Sequence, residues 1–532
     1  MTATIGSVFD TNRTAIQEVL NTNITTFMPQ IDPFWRDMIA SSQGVVPSDQ
    51  LGRGYLIHKI FNHMFGGVIE PGWGPSQNDF GLFGDDNVTD LGDRMIRRNY
   101  ARTFPDATEA VSPIPVRLTI PMRSMNTNMP VSMAELRAEA TSSVLTEITA
   151  PRMEGFARNI VHRLTNAFYT SQNDSYRLAA ISNVATSTGT GRSGGTVYRT
   201  KFYPTNKAVE RFILGERVDV YDSTGATRRN EASGTRIRTY VELVDEIGDA
   251  NGPFVVLVSE AALSGVTNGD IVVYANSKAT SGFRGIAGYR SYMKFSTNSA
   301  DSASLRYLLG DEAVGGGPEG AEDGKIDVVK YPEHRSYLKN INGVLTEQVL
   351  RRNLRAFHRA KDKYGQSIDF LVASDGVWLA YEAQKIGQYQ IDRTNRLSSL
   401  NNEGSEEGFQ IKYDGRSYTG YTSLFIESGV VLGHKKGGQN WKRIVPPDPA
   451  GAQSLGQVPA FAPFKFVANI LAGHGSNRLP ITDASGRLTE ASQMPGVLCM
   501  QVMAEQPAGL LLTGCTEDRT YGDTAVSGSY VA

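Results

Sequence analysis

Between Arg94 and Val131 the chain carries prolines at 105, 113, 115, 121 and 130. Proline lacks the amide donor that a helix interior and a central strand both require, so this stretch can be neither. What remains is an extended arm or open hairpin. Val116, Leu118 and Ile120 alternate with Arg117 and Thr119, giving it one apolar side. A segment this thin has no core of its own, so that side must lie on another surface. Arg94, Arg97, Arg98 and Arg102 stand at its start, with Tyr100 among them. They suit contact with phosphate or with a carboxylate-bearing neighbour. A solvated edge of the arm explains them equally well.

The arm runs into the clearest helix signal in the chain. Ser132 and Glu135 have the spacing of a capping box. Leu136, Ala140, Val144 and Ile148 follow at intervals of four, and Phe156, Ile160, Leu164 and Phe168 repeat the interval beyond Pro151. One long helix to about residue 170 is expected, kinked or broken at the proline.

Elsewhere the pattern divides the chain into smaller units. Residues 1–93 read as an N-terminal arm with short helices. In it Asp32-Pro33 marks a helix start, Phe34, Trp35, Met38 and Ile39 supply an apolar side, and Trp73 and Phe80 anchor a Gly-rich loop. Residues 183–200 read as a polar Gly-rich loop. A run of short strands follows, with Val218 and Val220 alternating and Ile237, Thr239, Val241 and Leu243 on one face. Turns fall at 222–225 and at Asn268-Gly269. Four or five strands over 207–278 suggest a small closed β unit inserted between other elements. Residues 279–330 connect it to a helix near 344–364, a buried strand Ile368–Ala373 and a helix capped by Asp375. Together these form a layered α/β unit over 331–460. Strands at about 409–413, 417–421, 424–426 and 430–434 extend it. The last segment, 461–532, returns as strands, including a hairpin from Val497 to Cys515 that would bring Cys499 opposite Cys515.

Composition excludes several function classes. Fifty-three Lys and Arg against 55 Asp and Glu leave a net charge of −2 over 532 residues. That is too balanced for a basic nucleic-acid coat or an acidic solvating chain. Two cysteines build neither a disulfide scaffold nor a multi-cysteine zinc domain. MTATIGSVFD is no secretory signal, and no apolar run is long enough to span a bilayer as a helix. A soluble, intracellular, mixed α/β protein is expected.

The motifs that suggest chemistry fail on context. Gly189-Thr-Gly191-Arg-Ser-Gly194 has dinucleotide-binding spacing but no strand before it and no helix after it. Ser193 between glycines mimics a nucleophile elbow in the same loop. His334, His358, His434 and His474 offer it no recognisable triad partner. His58 and His63 are five apart and would face different sides of a helix. Gly324-Lys325 lacks the Walker spacing. No catalytic, cofactor or metal site is expected.

The order of these pieces resembles the major capsid protein of tailed bacteriophages, the Hong Kong 97-type fold. RMIRRNYARTFPDATEAVSPIPVRLTIPMRS corresponds to that family's extended loop (E-loop), and SMAELRAEATSSVLTEITAPRMEGFARNIVHRLTNAFYT to its spine helix in the peripheral domain. GERVDVYDSTG, TYVELVDEI and GVTNGDIVVYANS are similar to the small barrels inserted in some coat proteins. IDFLVASDGVWLAYEAQKI is similar to the axial-domain strand and helix. The long irregular segment before the E-loop departs from the family.

The resemblance implies an α+β fold with N-terminal arm, E-loop, spine helix, axial domain and inserted barrel. It implies a non-enzymatic subunit of an icosahedral shell enclosing a viral genome, assembled in the host cytoplasm into the virion. Its partners would be itself in hexamers and pentamers, packaged DNA contacted without sequence specificity, and minor capsid or decoration, portal and scaffolding proteins, with no membrane. The E-loop residues Arg94, Arg97, Arg98, Arg102, Val116, Leu118 and Ile120 would make the intersubunit contact. An encapsulin-like cage or a serine hydrolase using Ser193 are the alternatives.

Overall fold

The computed structural model describes residues 22–24, 26–28, 30–35, 45–47, 124–132, 145–169, 177–190, 196–232, 234–249, 251–263, 265–275, 286–309, 326–329, 331–362, 366–389, 409–435, 441–445, 464–466, 479–482, 488–499, 501–504 and 506–518. Its architecture is α+β: three helices of fifteen residues or more, a closed barrel and several sheets. Among the described residues no helix is long and apolar enough to cross a membrane.

Helix α1, Leu145–Tyr169, contains Pro151 and continues through it. The stripe beyond the proline explains why. Ile160, Val161, Leu164 and Phe168 are buried, and Phe156 packs beside them. Tertiary burial of this face outweighs the one lost amide bond. Ser132 is the last residue of strand Ser124–Ser132, paired with Ala491. Its expected capping partner Glu135 lies outside the described residues.

The core around α1 draws on distant parts of the chain. Ile24, Met28, Phe34 and Trp35 come from the N-terminal segment, Trp441, Val502 and Leu511 from the other end. Residues 286–309, expected as part of a connection, also belong to this core: Tyr289 and Tyr292 are fully buried in it.

The inserted unit is a closed antiparallel barrel. Around it run Ile271–Tyr274, Arg177–Thr190, Thr196–Pro204, Gly252–Ser259, Thr239–Asp249 and Arg217–Tyr221, which pairs back to Ile271–Tyr274. The barrel therefore begins at Arg177, well before Lys207. The stretch read as a polar loop at 183–200 is the long hairpin Arg177–Thr190 with Thr196–Pro204. Its Thr-rich strands have good β propensity but little apolar alternation, so they resembled loop. The remaining strands were legible because their interior positions alternate: Gly252–Ser259 buries every second residue. Leu243 breaks the expected face, at 45% exposure. The register shifts between Val241 and Leu243, and a bulge turns every later side chain to the other side.

The barrel is fastened to α1 by polar contacts. Arg163 bonds Glu216 at 3.0 Å and lies over the Tyr274 ring, whose hydroxyl accepts from Asn166 at 3.2 Å. Buried Arg211 donates to the Phe425 carbonyl at 3.1 Å.

A six-stranded mixed sheet forms the α/β unit, in the order Tyr337–Gly343, Leu510–Cys515, Val431–His434, Phe370–Ala373, Arg416–Thr422, Phe409–Tyr413. Helices α2, Glu347–Lys361, and α3, Asp375–Tyr389, belong to this unit. Thr346 caps α2 by accepting from the Val349 amide at 3.1 Å. Asp375 lies within the first turn of α3 rather than capping it; the carbonyl of Ser374 accepts from the Val377 amide. Asp414-Gly415, both at positive φ, turn the hairpin between the last two strands, as a two-residue loop requires. Residues 424–426 form a turn instead of a strand.

The C-terminal strands separate. Leu488–Cys499 pairs with Ser124–Ser132, Gln501–Ala504 with Trp441–Val445, and Leu510–Cys515 with the α/β sheet. The expected hairpin from Val497 to Cys515 is therefore absent, and the two cysteines belong to different sheets. Cys515 is a buried free thiol.

Candidate interaction surfaces and polar centres

Arg94, Arg97, Arg98, Arg102, Val116, Leu118 and Ile120, expected to make the intersubunit contact, lie outside the described residues, as do Ser193, Met38, Ile39, Trp73 and Phe80. The structure does show where that segment ends. Ser124–Ser132 runs antiparallel along Leu488–Cys499 for nine residues, from Ser124 opposite Cys499 to Ser132 opposite Ala491. Pro130 sits within this pairing, opposite Gln493.

The N-terminal segment is anchored by Asp32. Its carboxylate is buried and accepts from the Phe34 amide at 2.8 Å, the Tyr169 hydroxyl at 3.1 Å and the Ser423 hydroxyl. One side chain thus caps a helix start and ties it to α1 and to the turn after Thr422. Burial, and then the Asp32 charge, push the Tyr169 phenol well above its ordinary pKa, so it remains a donor. Phe34 stacks on Phe168 at 3.9 Å, and Trp35 donates to Thr165 at 2.7 Å. His434 packs against Phe34 and accepts at Nδ1 from Trp441 Nε1. Complete burial lowers its pKa to about 3, so it stays neutral.

A second polar centre joins α2 to the sheet. His358 faces Asp362, Arg416 and Tyr418, with its Nε2 2.6 Å from the Tyr418 hydroxyl. Arg416 bonds Asp362 at 2.8 Å. Burial lowers the His358 pKa and raises that of Tyr418 to about 12. The i,i+4 spacing of His358 and Asp362 was the available signal, and sequence analysis missed it. Chemically the arrangement is a staple between helix and strand.

Glu517 forms a third centre, accepting from Ser374, Ser428 and the Gly429 amide. It pins the residues after the last strand to the start of α3. Among the described residues no group of three His, Cys, Asp or Glu is placed to hold a metal.

Of the glycine motif, Gly189 and Thr190 end a barrel strand. A hairpin strand is followed by its antiparallel partner rather than by a phosphate-binding helix, so the dinucleotide geometry is excluded.

No family model matches the chain, and no curated protein does. Among solved structures it is similar to the holo-SrpI encapsulin complex of Synechococcus elongatus PCC 7942, at 13% identity and a TM-score of 0.18. That match covers 34% of this chain and 52% of the encapsulin chain, so it spans about half of that protein. The capsid of a native GTA particle matches at 8% identity and a TM-score of 0.31, covering 89% of this chain and 88% of that one. The satellite phage P4 procapsid with its size-determination protein matches at 7% identity and a TM-score of 0.34, covering 93% and 90%. Overlays this loose assign no role to any residue; the chain's own architecture has to do so.

Proposed function

We propose that this chain is the repeating subunit of a closed protein shell of the Hong Kong 97 type, a capsid enclosing nucleic acid. The observation that carries the reading is the order of its elements. A proline-rich stretch of sequence precedes a strand, then come a long helix, a barrel and a mixed sheet with two helices. The final strands return to three separate sheets. In this reading residues 94–131 are the E-loop, α1 is the spine helix and the six-stranded sheet is the axial domain. The physical task is closure: identical interfaces build hexamers and pentamers, and extended arms absorb their differing environments.

Removing Pro105–Ile120 tests the assignment. Burying Val116, Leu118 and Ile120 against a neighbour contributes roughly 1.5–3 kcal/mol each. The deletion should leave a folded subunit with nearly native circular dichroism and no closed shells in negative-stain micrographs. Shells that form without the segment contradict the E-loop role, and an unfolded subunit makes the segment part of a core.

A further inference from the structure

Helix α2 carries a charge pattern that the described part of its fold does not use. Leu350, Leu354 and Phe357 are buried in the α/β core. On the opposite side Arg352, Arg355 and Arg359 are exposed, at spacings of three and four that place them in one row. None of the three side chains has an ion pair or hydrogen bond among the described residues. The neighbouring charges are committed elsewhere. Glu347, the helix's only acid, pairs with Arg351, whose guanidinium lies over Tyr413. Asp362 is held by Arg416 and His358. Lys361 is buried and donates to the Pro332 carbonyl at 2.6 Å.

Helix electrostatics does not account for the row. The macrodipole favours cations in the last turn, which covers Arg359 but neither Arg352 nor Arg355. Like charges at i,i+3 and i,i+4 oppose the helix. The row is also not one patch of a generally basic protein, since the net charge is −2. Among the described residues nothing offsets this mutual repulsion, which a bound anion would relieve.

We infer that Arg352, Arg355 and Arg359 contact the phosphates of enclosed nucleic acid, which makes the exposed face of α2 an inner face of the shell; this rests on the shell reading. The dimensions fit. Seven residues of helix rise about 10 Å, and one strand of duplex DNA presents a phosphate about every 3.4 Å along its axis. That rise covers the axial length of about four consecutive phosphates, room for each of the three guanidinium groups to meet a separate one. Guanidinium pairs with phosphate oxygens through two donors at once. With no base-reading side chain required, the contact is independent of sequence.

The test titrates the full-length chain, as free subunits, into a labelled random-sequence DNA duplex over a range of salt concentrations. Each phosphate contact contributes about 0.9 to the slope of log affinity against log salt. R352Q/R355Q/R359Q should lower that slope by about 2.7, so its affinity falls about forty-fold less than wild type between 50 and 200 mM salt. R352K/R355K/R359K keeps the charges and should keep the slope. Matching circular dichroism excludes misfolding of either variant. A wild-type slope in the Gln variant, or no binding by wild type, overturns the inference. So does a Gln variant that binds DNA normally but no longer associates with itself, because the row would then meet an acidic protein surface. Micrographs of the wild type judge the shell reading separately: its failure to form particles removes that reading, whereas the titration reports on the arginines alone.

Discussion

The barrel and the core around α1 bury comparable kinds of side chain by opposite routes. Every barrel strand comes from one continuous stretch, Arg177 to Tyr274, and among the described residues its interior of Val218, Val220, Val255 and Leu257 is filled by that stretch alone. The core around α1 joins Ile24 and Trp35 to Trp441 and Leu511. Long loops must close before such contacts form. The barrel is therefore built to fold as an insertion, whereas the central core requires both ends of the chain. Their joint is polar, through Arg163–Glu216 and Arg211 with the Phe425 carbonyl. Damage to one unit should spread little to the other.

The sequence supplies separate probes for the two. All four tryptophans and all seven histidines lie outside 177–274, so tryptophan emission follows the body alone. Hydrogen exchange at the Val255 and Leu257 amides follows the barrel. The largest effect should come from Phe34→Ala, which empties a stacked position against Phe168 and should cost about 3–5 kcal/mol. The tryptophan transition should move to lower denaturant while barrel protection persists. Simultaneous loss of both signals would mean a single cooperative unit.

Asp219→Ala is the reciprocal change. Asp219 is fully buried, bonded by Arg236 at 2.6 Å and by Asn230 at 2.8 Å. Removing it takes the shared carboxylate away from both donors, at a cost of about 3 kcal/mol. Barrel exchange should accelerate while the tryptophan transition stays in place.

Acid should separate the units next. His434 titrates near 3 in the fold because burial disfavours its charge, and near 6.5 when unfolded. The unfolded chain takes up the proton first. The stabilisation is thus complete above pH 6.5 and is lost as pH falls toward 3, by about 1.4 kcal/mol per unit, or about 2 kcal/mol at pH 5. His162, lowered by burial to about 4, acts in the same direction. Denaturant midpoints at pH 7 and pH 5 should shift for tryptophan emission more than for barrel exchange. Equal shifts would contradict the assignment.

The smallest effect should be Thr346→Ala, which removes the cap of α2 and should lower stability of the α/β unit by about 1 kcal/mol. Hydrogen exchange in the first turn of α2 should report it, with barrel protection unchanged.

Legibility followed the same division. The four barrel strands between Arg217 and Tyr274 and the α/β strand Phe370–Ala373 announced themselves through apolar alternation or apolar density, and α1 through its four-residue interval. The hairpin 177–204 did not, because threonine and serine alternate there without hydrophobic contrast. Neither did the separation of the C-terminal strands. Cys499 and Cys515 flank a turn-like stretch, but which sheet each strand joins is decided by partners far away in the chain, such as Ser124 and Gly343. The polar anchors were partly visible: Asp32-Pro33 marked a helix start, while its bonds to Tyr169 and Ser423 depend on tertiary placement. The arginine row of α2 was printed in the sequence as an i, i+3, i+7 pattern. Recognising it required knowing that the opposite face is buried and that the nearby acids are taken.

The particle mass formed by the full-length chain tests the shell account most directly. Light scattering on the purified 58.0 kDa protein should find a uniform closed particle in the megadalton range, hollow and faceted in micrographs. A stable monomer or small oligomer under all assembly conditions would contradict it.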